Sequence, residues 1–288
     1  MADDSPQQPP SPLEGPGLRA SQEELDELWG LIENGDLDDA IALGDELAET
    51  WPRDASIAIA RAAAFYECGL LRESLEEARR AGELDTDEPQ MASWYEAAAH
   101  HYLWDFGAAR AKADELLRDH PDFGEGWYLL AQICEMQEDE VGARRGYERA
   151  LQLEPQRFFR PTRFSLEQMD EALSQAREGL DAEFLEALEK IAVVVEALPR
   201  REYMLQSPGD DDPLPPDVLG LFVGNSRLDL SVFDSTEEPG IIFLFQKNLE
   251  RASASEEELV SEIHTTLYHE LAHYLGFEEE DMAELDLE

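Results

Sequence analysis

The sequence is poor in positive charge, and above all in lysine. Its 22 Lys and Arg residues face 67 Asp and Glu residues, for a net charge of −45. Only Lys112, Lys190 and Lys247 are lysines. A surface this acidic repels nucleic acid and anionic membranes, so neither is expected as a partner. Two interpretations of the acidity remain, adaptation to a saline medium or a binding site for a basic polypeptide, and charge alone does not separate them.

Cysteines and long apolar runs are also scarce. The two cysteines, Cys68 and Cys134, lie in separate apolar helical stretches without a CxxC pattern, which predicts buried free thiols and not zinc ligands. The longest apolar runs have five residues, as at 191–195 and 241–245, against the roughly 20 that a membrane span needs. The acidic, proline-rich residues 1–21 carry no secretory signal pattern and predict a disordered tail. We therefore expect a cytoplasmic protein.

A period of roughly 34 residues runs through residues 22–155. Each period has a short break between two amphipathic helices and ends near a proline. The breaks lie at 35–36, 69, 105–106 and 138–139, and the prolines are Pro52, Pro89, Pro121 and Pro155. Helices of this kind bury their apolar faces by stacking on neighbouring units. The pattern predicts an α-solenoid of about four units.

The fourth unit carries the clearest pattern. Its positions typical of a tetratricopeptide repeat are Trp127, Leu130, Ala131, Ala143, Tyr147, Ala150 and Pro155. In the first three units, Ala40, Ser74 and Ala109 hold the small-residue position at which the second helix packs closely. The N-terminal half therefore resembles a tetratricopeptide repeat array.

The resemblance to tetratricopeptide arrays implies a partner surface. In that family the first helices of the units line a groove that holds peptides. The resemblance places Tyr66, Trp94, His101 and Tyr128 on this surface, and the alternative is that these residues pack the repeats against one another. The groove offers few basic residues, so a basic or apolar segment suits it better than a carboxylate tail. We expect the array to recruit a polypeptide substrate or partner.

Residues 269–273 read His-Glu-Leu-Ala-His, the HExxH pattern. On a helix, side chains four positions apart lie about 40° apart around the axis, so His269 and His273 can bind one zinc ion. Glu270 can then activate a water molecule for hydrolysis. The pattern predicts one Zn²⁺ per chain beside a catalytic base, and the alternative is a degenerate site without turnover.

The second half predicts a mixed helix and strand domain over residues 165–288, after a linker at 156–164. A helical stretch covers 165–190, and buried strands are predicted at 191–196, 219–224 and 240–246. A long helix is predicted over 253–275, with Ser255 and Glu258 as its capping box and Gly276 at its end. The HExxH pattern lies in the last turns of this helix.

These elements resemble the bacterial minimal zincin family of zinc metallopeptidases over the whole second half. The matching segments are IAVVVE, LGLFVG, IIFLFQKNLER and TTLYHELAHYLGFEEEDM. The resemblance implies a small α+β domain after the α-solenoid, in which a short mixed sheet packs on the HExxH helix. It also implies that the strand nearest the cleft, here 240–246, pairs with an extended substrate.

The third zinc ligand is the open point of the motif. A catalytic zinc ion usually has three protein ligands and a water molecule. Too few residues follow His273 for a glutamate on a distant second helix, whereas Gly276 can turn the chain back, as in zincins with HExxHxxGxxH or with Asp at the last position. Glu279 occupies that position here. The alternatives are Glu278, Glu280 and Asp281, or a solvated acidic tail without a ligand.

Two functions from different classes follow from these patterns. The first is a zinc-dependent metallopeptidase that hydrolyses peptide bonds and whose repeat array recruits a protein. The second is a non-catalytic tetratricopeptide adaptor with a zinc-binding, zincin-like domain. The intact Glu270 favours the first, because a site that only holds metal does not need a base beside the ion.

Overall fold

The computed structural model of the chain describes residues 19–84, 86–205, 213–224 and 240–277. Contacts divide the chain into two compact units, one up to Ala99 and one from His100 onward. The second unit therefore contains the last helices of the array together with the residues that follow them. The predicted domain bounds, with a linker at 156–164, stay a prediction.

Helix–turn–helix pairs follow one another through the first half of the described chain. Their helices are α1 (Gln22–Asn34), α2 (Leu37–Thr50), α3 (Ala55–Glu67), α4 (Leu71–Glu83), α5 (Pro89–Tyr102), α6 (Phe106–Asp119), α7 (Gly124–Met136) and α8 (Glu140–Leu153). The small-residue positions Ala40, Ser74 and Ala109 are buried, as close packing of the second helix of each pair requires. The predicted tetratricopeptide-like repeats are confirmed.

The turn inside each pair contains one residue with a left-handed backbone. The first two pairs place glycine there, Gly35 with φ 79° and Gly69 with φ 75°. The next two pairs place Trp104 with φ 62° and Glu138 with φ 60°. This conformation costs a residue with a side chain about 1–2 kcal/mol, and glycine escapes that cost. Trp104 and Glu138 are the only non-glycine residues of the described chain with a positive φ.

The two cysteines differ in exposure. Cys134 in α7 is buried, but Cys68 is exposed. Cys68 follows the last residue of α3 and stands at the turn before Gly69, where the chain leaves the core of the repeat. The prediction of a buried thiol is therefore wrong for Cys68 and confirmed for Cys134.

The remaining elements form a small α+β domain around a three-stranded sheet. They are α9 (Leu166–Glu178), α10 (Ala182–Leu188), β1 (Ala192–Glu196), a 3₁₀ turn at Arg201–Tyr203, β2 (Gly220–Val223), β3 (Ile241–Phe245), α11 (Gln246–Ala252) and α12 (Glu256–Leu275). The helix predicted over 165–190 is thus two helices, because α9 ends at Gly179 and α10 starts after Asp181. An α-solenoid followed by a small zincin-like α+β domain is the fold that was predicted.

The order of the strands is β1-β3-β2. The central strand β3 runs parallel to β1, with Phe243 opposite Val194, and antiparallel to β2, with Ile242 opposite Phe222. A strand with neighbours on both sides has no free backbone edge for a third partner. The prediction that 240–246 pairs with a substrate is therefore wrong.

The two faces of β3 contact different parts of the chain. Ile242 and Leu244 lie in the main core with α9 and α12. Phe243 and Phe245 point to the opposite face, as alternation along a strand requires, and there Trp104 packs among the side chains that cover them. The Trp104 indole Nε1 also donates a hydrogen bond to the carbonyl of Leu214 at 3.0 Å. This burial offsets the left-handed backbone of Trp104.

A network of four charged side chains, three of them buried, joins α7 to α11. Glu135 of α7 is 0% exposed and accepts hydrogen bonds from Arg163, from Arg251 at 2.7 Å and from the Tyr147 hydroxyl at 2.8 Å. Glu250 of α11 is 1% exposed and accepts a bond from Arg163 at 2.6 Å. Arg163 is the exposed member, with 40% of its side chain accessible. Two carboxylates and two guanidiniums balance, so the network carries no net charge.

No helix in the described ranges combines the length and the apolar composition that a membrane span needs.

Candidate metal centre

The HExxH residues lie in the last turns of α12, as predicted. At the start of the helix, the Ser255 hydroxyl accepts a hydrogen bond from the N–H of Glu258 at 3.2 Å. Three glutamates in the first turn stabilise the helix by their interaction with the positive end of its dipole. The helix ends at Gly276, whose backbone is left-handed with φ 93° and whose N–H donates to the carbonyl of Ala272. These signals place His269 and His273 one turn apart on a rigid element.

The two imidazoles converge on one point. Their Nε2 atoms are 3.1 Å apart, and both rings are half-buried. Two nitrogens bound to a tetrahedral zinc ion at about 2.0–2.1 Å lie about 3.3–3.4 Å from each other. The His269–His273 pair therefore fits a zinc ion without a change of backbone, although one neutral tautomer could also form a direct hydrogen bond at this distance.

The third ligand is not among the described residues. Within them, no group of three or more His, Cys, Asp or Glu side chains could hold a metal ion. The predicted ligand Glu279 lies outside the described residues, as do the alternatives Glu278, Glu280 and Asp281. The structure brings His269 and His273 together, and the predicted ligand set stays a prediction.

Glu270 is held against the sheet. Its side chain is 8% exposed, and its Oε2 atom accepts the backbone N–H of Phe222 at 2.6 Å. Close approach of β2 to α12 needs Gly220, because a Cβ there would lie 2.5 Å from Thr266 Cγ2 and 3.3 Å from Glu270 Cγ. The strand thereby orients the carboxylate of the residue that follows His269 in the HExxH pattern.

The Phe222 amide lies on the edge of β2 that is turned away from β3. In an antiparallel pair, alternate residues direct both backbone groups toward the partner strand. Phe245 N–H donates to Leu219 O, so 219, 221 and 223 face β3. Gly220 and Phe222 therefore face away from β3, toward Glu270. None of the other described strands pairs with this edge.

The roles of Phe222 and Gly220 were not predicted from the sequence, because neither residue belongs to a recognisable motif. The one signal was the glycine inside the apolar segment 219–224, since glycine within a strand often marks a close approach of another backbone or side chain.

The four predicted groove residues lie in different surroundings. In the compact unit that ends at Ala99, Tyr66 and Trp94 are half-buried and meet edge to face with ring centroids 5.6 Å apart. In the second unit, Tyr128 stacks on Phe158 at 5.0 Å. His101 is 2% exposed and has no surface to offer a partner. Tyr66, Trp94 and Tyr128 therefore stay candidate partner residues, whereas His101 is left out.

His101 makes the stability of the protein depend on pH. Burial, with the nearby charge of Arg251, lowers the pKa of His101 to about 3. In the unfolded chain the pKa of a histidine is about 6.5, so the unfolded state takes up the proton first as the pH falls. Stability is therefore lost below about pH 6.5, by up to roughly 1.4 kcal/mol per pH unit for this group.

Replacing His101 by Phe should remove this dependence. Between pH 6 and pH 4 the free energy of unfolding of His101→Phe should fall less steeply than that of the wild type, because all other titrating groups are shared. Urea unfolding at a series of pH values measures both slopes. Equal slopes would show that His101 takes up its proton in the folded state.

Known proteins resemble the two halves separately. A family described as "Zincin-like metallopeptidase" matches residues 188–288. A comparison with curated proteins gives no match. Among solved structures, a crystal structure of MamA is 17% identical with a TM-score of 0.40, over 44% of this chain and 73% of its own.

Two further structures are similar to the helical region. The structure of MamA from Desulfovibrio magneticus RS-1 is 16% identical with a TM-score of 0.41, over 46% of this chain and 75% of its own. PilW, a type IV pilus biogenesis factor, is 13% identical with a TM-score of 0.31, over 55% and 85%. MamA and PilW are repeat proteins of the tetratricopeptide type. The repeats of this chain are assigned from its own helices and turns.

Proposed function

We propose that this chain is a zinc-dependent peptidase. His269, His273 and Glu279 would hold the zinc ion, and Glu270 would act as the general base. The observation that carries the proposal is the pair of Nε2 atoms 3.1 Å apart beside a buried carboxylate. The match of residues 188–288 to a zincin-like metallopeptidase family supports the same chemistry.

Each group at the proposed site has its own role in peptide hydrolysis. A bound zinc ion would polarise the scissile carbonyl and lower the pKa of the attacking water. Glu270 takes the proton from that water and later returns it to the leaving amine. The N–H of Phe222 keeps the carboxylate oriented between these two transfers. The free edge of β2 holds the substrate backbone extended beside it.

The repeat array adds a partner surface to the proposal. Tyr66 and Trp94 form an aromatic patch in the compact unit that ends at Ala99. An aromatic patch on an acidic chain favours a basic or apolar polypeptide as the partner. We propose that this patch recruits the substrate or a protein partner in the cytoplasm. The repeats at 22–155 and the peptidase domain at 165–288 are the corresponding domains.

Metal analysis tests the ligand set. The wild type should bind one zinc ion per chain, and His269→Ala or His273→Ala should abolish binding, because each leaves only one imidazole and one carboxylate where a catalytic zinc ion needs three protein ligands. Glu279→Gln should weaken zinc binding by at least the 10–100-fold that changes around metal ligands commonly cause. Zinc content after dialysis against a competing chelator measures each effect.

Glu280→Gln is the matched control for the third ligand. It removes the same charge one position further along the chain and should leave zinc affinity unchanged if Glu279 is the ligand. Equal losses in the two variants would assign the third position to the acidic tail as a whole. Zinc bound by the wild type without any peptide cleavage would favour the adaptor function instead.

A further inference from the structure

A cavity lies within the compact unit that begins at His100. It has a volume of about 780 Å³, which is within the usual 300–1,000 Å³ range of ligand pockets. Its walls come from the turns of the third and fourth helix pairs and from the chain that follows β1. Trp104, Phe106 and Met136 form its apolar part, and the Trp104 and Phe106 rings are 5.5 Å apart.

The sheet separates this cavity from the metal centre. Trp104, which lines the cavity, packs on the face of β3 that carries Phe243 and Phe245. Helix α12, with His269 and His273, packs on the opposite face. A molecule in the cavity therefore cannot touch the HExxH residues, and the cavity is not a part of the substrate cleft.

The rim of the cavity carries carboxylates that the protein leaves without ion pairs. Lys247 already pairs with Glu140, and Arg200 pairs with Glu196 at 3.2 Å. Across the described ranges, Glu138 and Glu202 form no ion pair, and neither does the neighbouring Arg201. Two unpaired carboxylates against one unpaired guanidinium favour a cationic group in the bound molecule.

Glu138 holds the left-handed backbone that the turn of every helix pair contains. The first two pairs place glycine at this turn position, and Trp104 of the third pair is partly buried against the sheet. Glu138 is exposed and has a φ of 60°. Glycine at this position would remove the cost of that backbone, about 1–2 kcal/mol.

We infer that this cavity binds a polypeptide segment that presents an aromatic or long apolar side chain next to a basic one. The apolar side chain fits between Trp104, Phe106 and Met136, and the cation meets Glu138 at the rim. An indole face beside carboxylates suits a guanidinium or ammonium group. The site goes beyond the proposed peptidase chemistry, since binding here needs neither zinc nor Glu270.

Binding of a synthetic peptide to the full chain tests the inference. The probe is a fluorescently labelled Gly-Phe-Arg-Phe-Arg-Gly peptide, measured by anisotropy in a Glu270→Gln background that cannot cut it. Glu138→Gln and Glu138→Gly should each weaken binding by about 3–10-fold, the effect of losing one charge pair at a rim. Met136→Lys, which adds a like charge to the apolar wall, should weaken it by more than roughly tenfold.

Glu138→Gly should raise the stability of the protein although it weakens peptide binding. Relief of the left-handed glutamate should raise the midpoint of thermal unfolding by about 2–4 °C, although binding falls. Glu67→Gln is the matched control, because it removes one exposed charge next to the turn of the second pair. It should change neither affinity nor midpoint.

Three results would overturn the inference. The first is equal binding by the Glu138 and Glu67 variants. The second is equal affinity for a Gly-Ser-Arg-Ser-Arg-Gly probe, which would show attraction by charge alone. The third is loss of probe binding in His269→Ala, which would place the peptide at the metal centre. Unchanged binding in His269→Ala supports the separate site whether or not the chain is a peptidase.

Discussion

Glu270→Gln should keep about one zinc ion per chain and lower the rate of peptide cleavage by about 10²–10⁴-fold. The side-chain oxygen of Gln can still accept the N–H of Phe222, so β2 and α12 should keep their contact. An amide cannot take a proton from water near neutral pH, and the attacking water therefore loses its base. Zinc content and cleavage of a peptide library, measured on the same preparation, give both results.

Glu257→Gln is the control for this substitution. Glu257 is exposed in the first turn of α12, and its replacement makes the same change of charge far from the imidazoles. It should leave both zinc content and cleavage rate unchanged. If Glu270→Gln retained an activity that a chelator removes, Glu270 would not be the general base.

Glu135→Gln should lower the free energy of unfolding by about 3–5 kcal/mol. The amide oxygen of Gln can keep the hydrogen bond from the Tyr147 hydroxyl, but Arg251 loses its carboxylate partner and is left with neutral acceptors such as Asn248. Arg251 is 8% exposed, so its charge cannot turn to solvent for compensation. Chemical unfolding at neutral pH measures the loss.

The double variant Glu135→Gln with Arg251→Met distinguishes the loss of the ion pair from the loss of packing around Arg251. Both charges of the Glu135–Arg251 pair are removed, and Arg163 still pairs with Glu250. The double variant should therefore be more stable than Glu135→Gln alone, as double-mutant cycles of buried pairs allow. Lys190→Met, which breaks the exposed pair with Glu186, should cost only about 0.3–0.5 kcal/mol. A double variant less stable than the single one would show that Arg251 acts by packing and not by charge.

Local sequence patterns predicted those features of the metal centre that lie on a single helix. The spacing of His269 and His273, the cap at Ser255 and the stop at Gly276 all concern residues within a few turns of each other. Each of these features follows from helical geometry, and the structure contains each of them. The repeats were predictable for the same reason, because helix, turn and proline recur at a fixed spacing.

Contacts between distant residues were not predictable from one sequence. Nothing in the segment 240–246 tells a central strand from an edge strand, since both are apolar, and the choice depends on where β1 and β2 lie. The bond from Phe222 to Glu270 joins positions 48 residues apart, and the bond from Arg251 to Glu135 joins positions 116 apart. Glu135, the one charged residue of the segment 127–136, was the only trace of the network in the sequence.

The indole of Trp104 limits how such an array can evolve. Solenoids commonly gain and lose whole repeats, because each unit contacts only its neighbours. An added or deleted unit between Trp104 and the sheet would carry the indole away from Phe243 and Phe245 and uncover that face. Duplication or loss of repeats is therefore tolerated only on the N-terminal side of Trp104, and homologues of this chain should differ in length there.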